Sequence, residues 1–257
     1  MQNLNLKDFA HGIHIEENVF NTEEIEQLRV AFYEVLELCE SYRAKMGIES
    51  GMDNTVHHVL FMREIFQKMI QKTENKKILD LFFDGKKYIL NSLGGNNNTK
   101  INYASNIHRD VRFYTEDKLM LNSIWCISPL NMNTGSTQFL LGSHLKEGPP
   151  SQKEFEDSCI SITAAVGSIV YFDSRIWHRA GKPIEGLKER VIYTPIYSRA
   201  FIKPGFDYSS ACQASESFDD SSDFLKQLSS YFSDVPRNHL DWYGFNKRRF
   251  YIKDQDI

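Results

Sequence analysis

The chain has 257 residues, 41% of them hydrophobic, and a formal net charge of −4. One core can be built from this, since barrels and sandwiches often reach such a length undivided. The charge excludes a general nucleic-acid binder, which would show a basic face. The four cysteines, Cys39, Cys126, Cys159 and Cys212, form no C-x-x-C pair. They read as free thiols in a reducing cytoplasm, not as a zinc or redox site. The N-terminus lacks the apolar core of a signal peptide. No run of about 18 apolar residues occurs, so no membrane partner is expected.

Residues 1–20 read as an entry strand with turns. Asn21-Thr22-Glu23-Glu24 carries a cap and an acidic first turn, and a helix should follow. Ile25, Leu28, Phe32, Val35 and Leu36 give it an apolar stripe through about residue 44. A loop over 46–55 leads to helices near 62–72 and 74–83. Asp84-Gly85 is a turn, and Tyr88-Ile-Leu90 starts strand material. Leu93-Gly-Gly-Asn-Asn-Asn98 reads as a loop or hairpin turn, because Gly and Asn tolerate positive φ.

A β-rich core is expected over 99–202, with 1–98 packed on it and 203–257 following as loop and tail, all in one domain. Leu119–Ser128 reads as a barrel wall, and its Trp125 as core rather than a cofactor contact. Gly167-Ser-Ile-Val-Tyr-Phe-Asp173 reads as a glycine turn and a buried strand. Arg190–Tyr197 reads as another strand. After Pro204 a Ser- and Asp-rich stretch to about 223 is expected to be a surface loop or mobile segment. A short helix over 224–232 follows. The aromatic and basic tail, 240–251, is expected to pack back on the domain or on a second subunit, which would make a homodimer.

The residues that carry chemistry lie in the β-rich core. Residues two apart in a strand share a face. His108 and Asp110 can therefore aim an imidazole and a carboxylate at one point. His178 from another strand completes two His and one carboxylate, the facial set of non-heme Fe(II) oxygenases. Arg190 follows after room for a turn, and a buried guanidinium there can hold a carboxylate with two prongs. The reading is an oxygenase that uses Fe(II), with 2-oxoglutarate and O₂ as cosubstrates. The same ligands could instead serve a zinc-dependent hydrolase or a non-catalytic binding protein on the same barrel. Arg190 argues against the hydrolase, which has no evident need for it.

Ile107-His-Arg-Asp110, Asn133-Thr-Gly135, Leu141-Gly-Ser-His144, Gly167–Asp173, Trp177-His178 and Arg190 occur together in order and spacing. Over roughly residues 100–200 the chain resembles the phytanoyl-CoA dioxygenase family. The resemblance implies a double-stranded β-helix (jelly-roll, cupin-like) core, mainly β with flanking α-helices. It implies iron on His108, Asp110 and His178, and 2-oxoglutarate held by Arg190. Leu141, Ser168 and Ala180 depart from the family's usual proline, aspartate and small hydroxyl residue. Related halogenases have a small residue where this chain has Asp110, so the carboxylate argues for hydroxylation, or for desaturation or ring closure.

Continuing the strand parity places Asn102, Ala104, Asn106, Arg112 and Tyr114 on the metal-facing side. Asn102 is the preferred further contact to 2-oxoglutarate, with a structural hydrogen bond to backbone as the other reading. Arg112 and Arg175 would anchor an anionic substrate or form rim salt bridges. His57 and His58 are adjacent, and His58 is the candidate to reach the pocket. Arg109 should face away from the metal. His144 reads as a loop-fixing hydrogen bonder, not a ligand. The expected partner is a small polar or anionic metabolite.

Overall fold

The computed structural model describes residues 6–48, 52–99, 103–216 and 218–245. The chain runs β1 (Ile13–Glu16), α1 (Thr22–Lys45), β2 (Thr55–Val56), α2 (Glu64–Ile70), α3 (Thr73–Phe82), β3 (Tyr88–Asn97) and β4 (Met120–Cys126). It continues through β5 (Gln138–Phe139), α4 (Gln152–Ser158), β6 (Ile160–Ser161), β7 (Ile169–Asp173), β8 (His178–Arg179) and β9 (Val191–Arg199). It then passes α5 (Tyr208–Gln213), α6 (Asp223–Leu228) and α7 (His239–Phe245).

A six-stranded antiparallel sheet has the order β1-β7-β4-β9-β3-β2, and a three-stranded sheet has the order β6-β5-β8. An isolated bridge between His108 and His178 extends the smaller sheet by one chain segment. This is the expected double-stranded β-helix with helices flanking it.

Alternation along the strands splits the apolar residues into two cores. Trp125, Tyr171, Tyr193 and Tyr197 face the helices and pack with Phe32, Phe66 and Leu79. Ile124, Cys126, Val170, Phe172 and Ile192 face the smaller sheet and pack with Phe139. Trp125 is fully buried in the first core, against Phe20 and Tyr193. The core reading of that residue holds.

α1 starts where its cap pointed. Asn21 accepts from the Glu24 amide, and the Glu24 carboxylate accepts from the Asn21 amide, a reciprocal capping box. Leu28, Phe32, Val35 and Leu36 are buried beneath it. α3 carries a buried polar residue, Asn75. It donates to the Ile70 carbonyl and accepts from the Tyr171 hydroxyl, so its burial leaves no amide atom unmade.

Three expectations need correction. Residues 93–97 are not a turn: β3 runs through them to Asn97, paired with β9 as far as Val191. The glycines serve close approach, since a Cβ on Gly95 would stand 2.7 Å from the Tyr193 ring. The strand expected through the H-x-D pair is also absent. A 3₁₀ turn occupies Tyr103–Ser105, and only His108 makes a bridge. The segment after Pro204 is not simply loop, because α5 buries Tyr208 and Cys212 completely. The Tyr208 hydroxyl accepts from the Leu93 amide, which ties α5 to the edge of the large sheet. In the described part of the aromatic tail Leu240 is 83% and Tyr243 73% exposed, and residues 246–251 of that tail lie outside the described residues.

Candidate metal centre

His108, Asp110 and His178 each offer one ligand atom, and these atoms lie within 4.8 Å of one another. Backbone pairing brings them together. The His108 amide donates to the His178 carbonyl at 2.9 Å, and the His178 amide donates to the His108 carbonyl at 2.8 Å. The Asp110 amide donates to the Ser174 carbonyl. The H-x-D segment is thus clipped to the β7–β8 connection residue by residue, without needing a regular strand.

Both imidazoles are oriented through the ring nitrogen that faces away from the cluster. His108 Nδ1 donates to the Asn106 carbonyl at 2.7 Å, and His178 Nδ1 to the Ile176 carbonyl at 3.0 Å. A carbonyl can only accept, so Nδ1 holds a proton, and in the neutral ring Nε2 then keeps its lone pair. Those Nε2 atoms are 3.8 and 3.7 Å from the two Asp110 oxygens. Phe139 stacks on the His178 ring and Phe172 meets it edge-on. Burial holds His178 below the usual histidine range, against the pull of Asp110, and so favours the neutral, ligating form.

Asn122 on β4 completes the cluster. Its amide donates to Asp110 Oδ2, and its own oxygen accepts from the Ser174 hydroxyl at 2.6 Å. One carboxylate oxygen is therefore occupied, and Oδ1 is left beside His108. A polar residue among Met120, Ile124 and Cys126, the inward positions of a barrel strand, was the sequence signal for it.

Arg190 immediately precedes β9 and is 4% exposed. Alternation from Ile192 places it on the face toward the smaller sheet. Its backbone is set by Asn97, which accepts from the Arg190 amide at 2.7 Å. Its Nε is buried without a hydrogen-bond partner. Burial lowers its pKa to about 10, with Cys126 the opposing influence. A buried guanidinium left in this state calls for an anionic ligand. Asn96, paired with Ile192 on the neighbouring strand, likewise buries a side-chain oxygen without a partner.

The remaining expected residues divide. Asn102 lies outside the described residues. Arg112 is exposed, and its charge reaches the cluster by disfavouring protonation of His178. Asn106 and Tyr114 are exposed as well, so the strand parity fails on both sides of the ligands. Arg175 is no substrate anchor. It is buried, chelates Asp173 through Nε and Nη2, and donates to the Thr115 and Glu116 carbonyls, pinning that loop. His58 is also committed elsewhere: Nδ1 meets the Tyr208 hydroxyl at 3.0 Å and the ring stacks on Phe206. Arg109 is buried against the Trp177 ring. His144 buries Nδ1 without a partner beside Gly12, so it packs the loop rather than bonding it.

Residues 10–183 match the sequence profile of the phytanoyl-CoA dioxygenase (PhyH) family. The chain belongs to that family. The match begins far upstream of the motif region read from the sequence and stops short of Arg190. Among curated proteins, the Mycobacterium tuberculosis protein Rv1501 is 29% identical over 135 residues, 52% of this chain and 49% of the relative. The chain thus spans about half the length of that relative. The dioxygenase af480 of Aspergillus fumigatus is 28% identical over 96 residues, 36% of this chain and 30% of that protein.

Two solved structures share the fold. HygX from Streptomyces hygroscopicus, with nickel and 2-oxoglutarate bound, has a TM-score of 0.58 at 12% identity and covers 79% of this chain and 88% of its own. AviO1 from Streptomyces viridochromogenes has a TM-score of 0.58 at 19% identity and covers 78% and 96%.

Proposed function

We propose that the chain is an Fe(II)- and 2-oxoglutarate-dependent dioxygenase that hydroxylates an unactivated C–H bond of a small polar or anionic metabolite. The observation that carries this reading is the pairing of two features in one barrel. Three donor groups converge, and a buried guanidinium has an Nε without a hydrogen-bond partner and no ion pair among the described residues. Membership of the phytanoyl-CoA dioxygenase family supports it, as does the fold shared with HygX, a protein solved with 2-oxoglutarate bound.

The donor set fits the metal. Two neutral imidazole nitrogens and one carboxylate oxygen suit Fe(II) and leave positions open for other ligands. His108, Asp110 and His178 would hold it. Bound iron and 2-oxoglutarate supply an O₂-dependent oxidation that releases succinate and CO₂ as one oxygen atom enters the substrate. The protein's part is to position and exclude. Asn122 and Ser174 fix the Asp110 carboxylate. Arg190 takes the far carboxylate of 2-oxoglutarate. Phe139 and Phe172 keep water from the inner edge of His178. Asp110 fills the place that a small residue leaves open in related halogenases, which favours hydroxylation. Arg112, exposed and with its charge felt at His178, would meet an anionic substrate.

The test is the visible spectrum of anaerobic protein given Fe(II) and then 2-oxoglutarate. A weak charge-transfer band that is absent in His108→Ala and weakened in Arg190→Ala is the expected result. Folded, iron-loaded protein that shows no band on adding 2-oxoglutarate would sink the reading.

A further inference from the structure

The smaller sheet has a second face, turned away from the metal centre, and a cleft of about 360 Å³ opens there. Alternation along β8 sends His178 inward and Arg179 outward. Along β5 it sends Phe139 inward, onto the His178 ring, and Gln138 outward. Arg179, Lys182, Gln138 and Ser161 line the cleft, and no carboxylate lines it. The cleft is therefore cationic on a chain whose net charge is −4, so the overall charge does not account for it.

Arg179 is held in place. Its guanidinium carbon lies 5.1 Å from the centre of the Phe155 ring, and its Nε donates to Gln138 Oε1 at 2.7 Å. These contacts use one face and Nε, which leaves the terminal nitrogens as the edge available to the cleft. Among the described residues no carboxylate comes within ion-pair distance of Arg179 or Lys182. The wall opposite is rigid. A Cβ on Gly135, which sits at φ +69, would stand 2.7 Å from the Gly181 carbonyl oxygen, so two backbone segments cross there in direct contact.

We propose that this cleft is a second ligand site, for the phosphate or carboxylate group of a small metabolite, on the outer face of the strand that carries His178. A guanidinium edge fixed by stacking, with a lysine ammonium and a serine hydroxyl around the same space, offers two cationic donor groups and a hydroxyl donor to an oxyanion's acceptors. The proposal does not depend on the metal reading, because none of these groups belongs to the metal centre.

The experiment titrates the full-length, metal-free protein with inorganic phosphate by calorimetry, at ionic strength held constant with chloride. A parallel titration with acetate distinguishes the two head groups. Saturable binding of one anion is expected. It should weaken about tenfold or more in Arg179→Gln and in Lys182→Gln, as befits loss of a charge-assisted contact, and stay unchanged in Arg190→Gln. No saturable heat with either anion would overturn the proposal. So would unaltered binding in both outer-face variants, or loss of binding in Arg190→Gln, which would move the anion into the barrel. If Arg179→Gln fails to fold, the exposed Lys182→Gln decides the matter alone.

Discussion

Asn122 and Asp110 are joined by a hydrogen bond from the side-chain amide to carboxylate Oδ2, and the Ser174 hydroxyl holds Asn122 from behind. The bond links β4 of the large sheet to the segment that pairs with the small one. It fixes which carboxylate oxygen stays free for a metal. Groups that orient metal ligands typically cost about 10–100-fold in metal affinity when removed. Asn122→Ala is expected to weaken Fe(II) or Co(II) binding by about that factor, read by competition with a chelating dye. Asn122→Asp should weaken it further at neutral pH, because a second carboxylate would face Asp110 without a donor between them. Unchanged metal affinity in a folded Asn122→Ala protein would show that Asp110 is held by its backbone alone.

Arg190 should oppose stability and favour binding. Its charge is buried, and its Nε has no partner. Replacing buried charge by apolar volume is often stabilising, by about 1–4 kcal/mol for whole pairs. Arg190→Leu is expected to raise the thermal midpoint of the ligand-free protein. The wild-type protein should gain about 2.7 kcal/mol at a hundredfold excess of 2-oxoglutarate over its Kd in the presence of metal, and the variant should gain almost none. Thermal unfolding of both proteins with and without 2-oxoglutarate tests the two signs together. A lower midpoint in ligand-free Arg190→Leu would mean that the guanidinium has internal partners that matter.

Arg175, expected as a substrate anchor or a rim salt bridge, instead forms a buried pair with Asp173. The two side chains are 3% and 6% exposed and meet at 2.6 Å, while Arg175 also binds the Thr115 and Glu116 carbonyls. Breaking one side of a buried pair typically costs about 3–5 kcal/mol. Arg175→Ala is expected to lose stability of that order in urea. Arg175→Lys should recover little, since a point charge cannot reproduce the chelating fork. If Arg175→Ala matches the wild-type midpoint, the 111–118 loop is anchored by other contacts.

What could be read from the residues alone depended on how local the determinant was. The capping box of α1 and the buried strand β7 are written in neighbouring residues, and both appear where expected. The metal donors were found through an i, i+2 argument whose premise does not hold, because the H-x-D segment is irregular. The convergence survives since His108 bridges His178 and Asp110 binds Ser174, one backbone contact for each ligand. Extending the same parity to Asn106 and Tyr114 failed, because no partner strand enforces alternation there. The Gly94-Gly95 pair looked like a turn, but the space is demanded by Tyr193 across the strand and by Val56 beside it. Tyr208 lay in a polar stretch whose composition hid one residue anchored on Leu93. These were long-range packing facts, invisible in a window of ten residues.

His144 offers a pH test away from the ligands. It is 7% exposed, packed beside Gly12, and burial lowers its pKa below 6.5. The nearby Asp173 charge opposes the shift, whereas Arg175 and His11 add to it. The sign follows from proton counting. Well above pH 6.5 His144 is neutral in both states and contributes no pH dependence. As pH falls below 6.5, the unfolded chain binds a proton before the folded chain does, so stability declines. The loss continues until the pH passes the lower folded-state value. His144→Leu removes the titrating group and keeps an apolar filler. The drop in urea midpoint between pH 7.5 and pH 5 should therefore be smaller in the variant than in the wild type. Carboxylates titrating in the same range act on both proteins and cancel in that double difference. An equal drop in the two would mean that His144 takes up its proton within the fold at no cost.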